Sequence, residues 1–258
     1  MIDSKYFKEY RLKLGFTNQQ SVKKFFGAKD ITPTIDYNYI TLLDNRLIDI
    51  IKQISNIVPA EIKPVDLQFF INENIIKVSQ KLRIYHIIER LNNQGRRPEE
   101  VYFSWMRGYV VSVYFLKALS YIFETDLSNI KIIGDDDLVD INSFKRTPTA
   151  DLEISLEKFK KIRIEVQSGF QGINDIKQHK VLEAKKIANE KSIPTIVVHF
   201  DLFNGQVAFV RLDTIKDNDI NWITRQQMEG QTVFNIEQNY FIWKITETPP
   251  LFNELDII

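Results

Sequence analysis

Acidic and amide side chains recur at alternating positions in the middle of the chain. In "TADLEI" (149–154) Asp151 and Glu153 alternate with Leu152 and Ile154; in "RIEVQ" (163–167) Arg163, Glu165 and Gln167 alternate with Ile164 and Val166. A period of two reads as a pair of strands, each with one apolar and one polar face. With the turn centred near Phe159, Asp151 is expected opposite Gln167 and Glu153 opposite Glu165. Asp151 and Glu165 are then diagonal neighbours at about 7 Å, a span that one cation can bridge. Carboxylates facing each other repel unless they are well solvated or hold a metal. Oxygen ligands without histidine or cysteine favour Mg²⁺, which keeps waters and takes one or two carboxylates together with phosphate oxygens. Such an ion activates water and stabilises charge on a phosphodiester in transfer. Gln167 could orient the attacking water, or hold a phosphate oxygen, without adding negative charge. The plainer reading of the same letters is a solvated sheet face, and Glu153 is assigned to it.

The elements around this hairpin follow an order. "PEEVYFSWMRGYVVSVYFLKALSYIF" (98–123) reads as one long helix, with Pro98, Glu99 and Glu100 in its first turn, where carboxylates suit the helix dipole. "NIKIIG" reads as a strand, and "DIKQHKVLEAKKIANEK" (175–191) as an amphipathic helix. "PTIVVHF" and "GQVAFVRL" read as strands joined by "LFNG". Residues 231–245 read as a further hairpin. The expected fold is α/β, a mixed sheet in the order helix-strand-strand-strand-helix-strand, preceded by a helical module. "NNQGRRP" (92–98) supplies the boundary, giving units 1–95 and 96–258.

This constellation resembles the PD-(D/E)xK nuclease superfamily. "PTAD" supplies Pro148 and Asp151, although the two are not adjacent here, and "EVQ" supplies Glu165, Val166 and Gln167. Gln in place of the usual Lys resembles a variant found among Type II restriction endonucleases. The resemblance covers less than half of the chain. It implies Mg²⁺-dependent hydrolysis of double-stranded DNA, with Asp151 and Glu165 as metal ligands and the Val166 carbonyl as a third. Gln167 would stand in the lysine position, or a lysine of the next helix, Lys177 or Lys180, would complete the site. Glu100 is a candidate additional ligand. Two other readings stay open: a repair, recombination or mobile-element nuclease, and a DNA-binding regulator whose hairpin is inert.

Composition narrows the alternatives. The 258 residues include no cysteine, which removes disulfides, thiolate zinc sites and cysteine nucleophiles. This fits a cytoplasmic protein. His86, His179 and His199 lie far apart and form no ligand spacing. The 34 basic residues balance the 34 acidic ones, against a nonspecific nucleic-acid coat, although local patches decide binding. No segment approaches the ~20 apolar residues of a membrane span.

Residues 1–93 read as almost entirely helical. Within them, 10–51 resembles a helix-turn-helix: "TNQQSVKKFFG" capped by Thr17, with Leu14, Val22 and Phe25 inward, then a second helix from about Thr34 to Ile40. Gln19, Gln20 and Lys23 are its candidate DNA contacts. Lys145 and Arg146, in the loop before Asp151, are placed to hold a phosphate. Arg225, Gln226 and Gln227 are candidate base readers, since Arg and Gln read guanine and adenine bidentately. Duplex cutting with two active sites points to a homodimer.

Overall fold

The computed structural model describes residues 2–28, 30–91, 96–134, 138, 149–156, 161–226 and 230–255. Its first third is helical: α1 (Ser4–Lys13), α2 (Gln19–Phe26), α3 (Tyr37–Ile57), α4 (Leu67–Ile71), a wide π turn over Asn72–Ile76, α5 (Lys77–Ile84) and α6 (Ile87–Arg90). The cap of α2 is Asn18, one residue later than expected; its side chain accepts the Ser21 N–H at 2.8 Å. The second helix does not start at Thr34. Asp36 caps α3 through the Tyr39 N–H, and the Asp36 N–H is itself taken by Glu99 Oε1 at 2.8 Å, so the start of α3 is fixed by tertiary contact.

The inward packing expected of α2 is also absent. Neither α1 nor α2 buries a residue, Leu14 and Phe25 are exposed, and Val22 is only half-buried. The phenylalanines Phe16, Phe25 and Phe26 pack on one another, with Phe16 and Phe25 centroids 5.3 Å apart. Two helices of ten and eight residues are too short to enclose a core between them.

The expected long helix is broken in two, α7 (Pro98–Tyr114) and α8 (Leu116–Ile122). Phe115 at the break leaves the helical line and stacks on Phe200 of the sheet, centroids 4.2 Å apart. The strands are β1 (Ile130–Ile132), β2 (Leu152–Ile154), β3 (Ile162–Gly169) and β4 (Asp175–Lys177). After α9 (Gln178–Lys191) come β5 (Thr195–Asp201), β6 (Gln206–Arg211), β7 (Trp222–Arg225), β8 (Gln231–Asn235) and β9 (Phe241–Lys244). Six of them form a mixed sheet in the order β1-β2-β3-β5-β6-β9, in which only β3 and β5 run parallel, joined by α9. A parallel pair needs such a crossover, because a tight turn cannot return the chain to the same end.

Two sequence expectations fail in the second, smaller sheet, β4-β8-β7. Asp175–Lys177 pairs with β8 before the helix begins. Residues 231–245 are not a hairpin: β8 belongs to the small sheet and β9 to the large one. Alternation shows that a segment is extended; it carries no information about which neighbour it pairs with.

The large sheet is covered on both faces, and β5 is buried along its whole length, as suits a central strand. Ile164, Val166, Ile196, Val198 and Phe200 join the helical side in one hydrophobic cluster that also includes Ile40, Leu47, Tyr102 and Phe115. Val197, Ala208 and Val210 face the other way, onto Val181 and Ala184 of α9 and Ile176 and Phe234 of the small sheet. No helix among the described residues is long and apolar enough to cross a membrane.

Candidate functional site

β2 and β3 pair antiparallel, Leu152 with Ile164, Glu153 with Arg163 and Ile154 with Ile162. This register is two residues away from the expected one. Glu153 lies opposite Arg163, not Glu165, and the same ladder carried back one residue sets Asp151 opposite Glu165, not Gln167. The cause is charge pairing. Glu153 meets Lys161 at 2.6 Å and Arg163 at 3.6 Å, where the expected register would have set it against another carboxylate. Burial pushes the Glu153 carboxyl up, but Lys161 and Arg163 outweigh it and hold it below its ordinary value. Glu153 is thus an ion-paired sheet residue.

The shifted register brings Asp151 and Glu165 together directly. Asp151 Oδ2 accepts the Val166 N–H at 2.7 Å. In an extended strand the N–H and C=O of one residue point the same way, so the Val166 carbonyl also leaves β3 on the side away from β5, toward Asp151. The Asp151 backbone is held as well, its carbonyl accepting Ile133 N–H at 2.9 Å and Gly134 N–H at 3.3 Å. Gly134 keeps this side open: a Cβ there would lie 3.3 Å from Asp151 Cα and 3.6 Å from its Oδ1.

Glu165 is buried, at 5% exposure, and its charge is met by Lys180 from the first turn of α9. Lys180 Nζ donates to Glu165 Oε2 at 2.8 Å and to the Thr149 carbonyl at 3.2 Å. Of the two lysines named from the sequence, Lys180 therefore reaches the carboxylates, whereas Lys177 ends β4 with an exposed side chain. A cavity of about 10 Å³ lies beside the pair, lined by Ala150, Arg163, Glu183 and Thr195, with room for one water. His179, next in sequence, is held below its ordinary value by burial and by the charges of Lys177 and Lys180.

Gln167 shares the polar face of β3 but meets different partners. It stands beside His199 across the parallel pair, and its Oε1 is 3.4 Å from His199 Nδ1. His199 is buried, which pushes its ring down to about 4, and its Nε2 is 2.7 Å from Asn174 Oδ1. Neither Asn174 nor His199 was singled out as a partner of Gln167 from the sequence, because their meeting depends on the register of β3 against β5.

The other candidates are spread over the molecule. Glu100 is not beside the carboxylates; it lines a separate hollow with Tyr39, Arg96, Arg107 and Phe170. Gln19 and Gln20 are exposed in the first turn of α2, and Lys23 is exposed one turn on. Arg225 grips Asp175 with two hydrogen bonds of 2.8 and 3.1 Å, so its guanidinium is committed within the small sheet. Gln226 is exposed. Pro148, Lys145, Arg146 and Gln227 lie outside the described residues.

The donor set at the hairpin is two carboxylates and one carbonyl, which matches what Mg²⁺ asks of a protein when the rest of its shell is water and substrate. Among the described residues no group of three His, Asp or Glu side chains comes together to hold a metal. The chain matches no protein-family model and no curated protein.

Proposed function

We propose that this chain is a Mg²⁺-dependent endonuclease that hydrolyses double-stranded DNA, in the manner of a Type II restriction enzyme with a PD-(D/E)xK-like core. The observation that carries the reading is the convergence of Asp151, Glu165, the Val166 carbonyl and the Lys180 ammonium at one end of an antiparallel pair, beside a parallel strand reached through a helix. An ion pair alone would explain Lys180 and Glu165. The register that Glu153 sets against Lys161 and Arg163 adds a second carboxylate, Asp151, opposite Glu165, with its Oδ2 on the Val166 N–H and Gly134 beside it.

In this reading Asp151 and Glu165 hold the ion, and the Val166 N–H fixes the Asp151 carboxylate so that little ordering is left to pay on binding. Bound there, Mg²⁺ supplies activation of water and a counter-charge for the phosphate. Lys180 pairs with the buried Glu165 and brings a positive charge to the phosphate from α9, where the resemblance expects it from the residue that is here Gln167. A neutral Gln167 cannot act as a base, and its part is orientation.

The test is incubation of the purified chain with plasmid and Mg²⁺, beside Asp151→Ala and Glu165→Ala. Discrete fragments from the parent chain and none from either variant are expected. A smear, or cutting confined to branched DNA, moves the reading to a repair or recombination nuclease. Tight DNA binding without cutting refutes the endonuclease.

A further inference from the structure

The polar groups behind Gln167 form a chain of hydrogen bonds with a fixed direction. It starts at Asp201, wholly buried at the end of β5. The Asp201 carboxylate accepts the backbone N–H groups of Phe203 (3.1 Å) and Asn204 (3.2 Å). It also accepts side-chain N–H groups from Asn204 (2.7 Å), Gln206 (3.1 Å) and Asn174 (3.3 Å). Burial pushes the carboxyl up, and these donors outweigh burial and hold it below the ordinary range. An ionised carboxylate can only accept. Asn174 must therefore turn its amino group to Asp201, which leaves its Oδ1 facing His199 Nε2 at 2.7 Å.

A carbonyl oxygen cannot donate, so His199 carries its proton on Nε2. In a neutral ring the other nitrogen, Nδ1, then holds a lone pair. That lone pair faces the Gln167 amide at 3.4 Å. Two acceptors facing each other repel. A half turn of the amide, which leaves its shape unchanged, brings the amino group to Nδ1 and makes the contact a hydrogen bond. Gly169 preserves the space for this chain: a Cβ there would lie 2.9 Å from Asn174 Oδ1 and 3.0 Å from His199 Nε2.

We propose that His199 is a positioning residue for Gln167: through Asp201, Asn174 and His199 the amide is locked with its amino group on the ring and its oxygen turned away, on the sheet face that carries Glu165. Of the two roles open to Gln167, this selects one. An outward oxygen accepts a hydrogen bond from an attacking water and orients it; a phosphate oxygen has no proton to offer it. The catalytic half of the proposal rests on the endonuclease reading, whereas the hydrogen-bond direction does not.

The test separates the two. Ring-nitrogen spectra of the ¹⁵N-labelled full chain at neutral pH, assigned with His199→Gln, should show His199 protonated on Nε2 alone. One side-chain N–H of Gln167 should be shifted downfield and slow to exchange. His199→Phe should abolish both amide signatures. His199→Gln can donate to Asn174 and accept from Gln167, so it should restore them. In single-turnover cleavage His199→Phe should lower the rate about tenfold, the low end for a positioned group, with most of the loss regained in His199→Gln. A ring protonated on Nδ1, or amide signals that His199→Phe leaves unmoved, overturns the relay. Altered signals with unaltered cleavage overturn the positioning role. If the chain cuts no DNA, the spectra still decide the direction of the relay, and if His199→Phe does not fold, the parent ring decides it.

Discussion

Lys180→Met removes an ammonium and keeps most of the stem. The lost group's contacts include Glu165 at 2.8 Å and the Thr149 carbonyl at 3.2 Å, and the side chains of the Lys180–Glu165 pair are 17% and 7% exposed. Removing one partner of a buried pair costs about 3–5 kcal/mol, because the other charge is left without compensation. The lower end applies here, since the cavity of about 10 Å³ beside the pair can admit one water to Glu165. A loss of about 3 kcal/mol lowers the melting temperature by roughly 6–12 °C in a chain of this size. Replacing both residues, Lys180→Met with Glu165→Leu, should recover most of that loss, since a buried pair exchanged for apolar groups is often neutral. Mg²⁺ at about ten times its dissociation constant should return ~1.4 kcal/mol to Lys180→Met and nothing to the double variant, which has lost a ligand. Calorimetric melts of the parent, Lys180→Met and the double variant, with and without Mg²⁺, measure all of this. If Lys180→Met melts like the parent, or if Mg²⁺ shifts the double variant equally, the coupling of Lys180, Glu165 and metal is refuted.

Three more outcomes follow from the same geometry. His199 is pushed down to about 4 by burial, while an unfolded ring titrates near 6.5. Stability from this group is therefore complete above pH 6.5 and is lost as pH falls toward 4. Urea midpoints at pH 7 and 4.5 should show a loss larger by roughly 2–3 kcal/mol in the parent than in His199→Gln, and equal losses would refute the assignment. Gly169→Ala forces a Cβ against Asn174 and His199 and should destabilise by about 1–3 kcal/mol in a thermal melt; a variant that melts like the parent disproves the close approach. If α2 touches DNA, Gln19→Ala with Gln20→Ala should weaken binding, and Lys23→Ala should lower the salt dependence by about one counterion. Isotherms unchanged across salt would remove α2 from the interface.

The sequence carried the elements better than their partners. β2, β3, β5 and β6 were legible because β2 and β3 alternate apolar and polar residues, while Thr195–Asp201 and Gln206–Arg211 form apolar runs bounded by turn residues. The mixed sheet followed from their order around α9. What alternation could not give was register: Glu153 chose Lys161 and Arg163, and that choice moved Asp151 from Gln167 to Glu165. The contact of Lys180 with Glu165 was legible only as an alternative to Gln167, because the direction of a helical side chain depends on how the helix is docked. Asn174 and His199, 25 residues apart, left no sequence signal of meeting, since a parallel pairing is needed to join them. The exposed aromatic residues of α1 and α2 misled for the opposite reason: amphipathic spacing was present, but no facing surface covers it among the described residues.

The small sheet acts as a rotational stop for α9. β4 runs without a break into the helix, and Lys180 follows Lys177 by three residues. β4 is clamped before the helix starts: Arg225 and Asn235 hold Asp175, while Ile176 pairs with Phe234. The helix therefore enters with its angle about its own axis already set. One residue per ~100° of turn means that a slip of β4 by a single position would swing Lys180 off Glu165. The place of the ammonium is thus set from the small sheet, by the grip of Arg225 and Asn235 on Asp175.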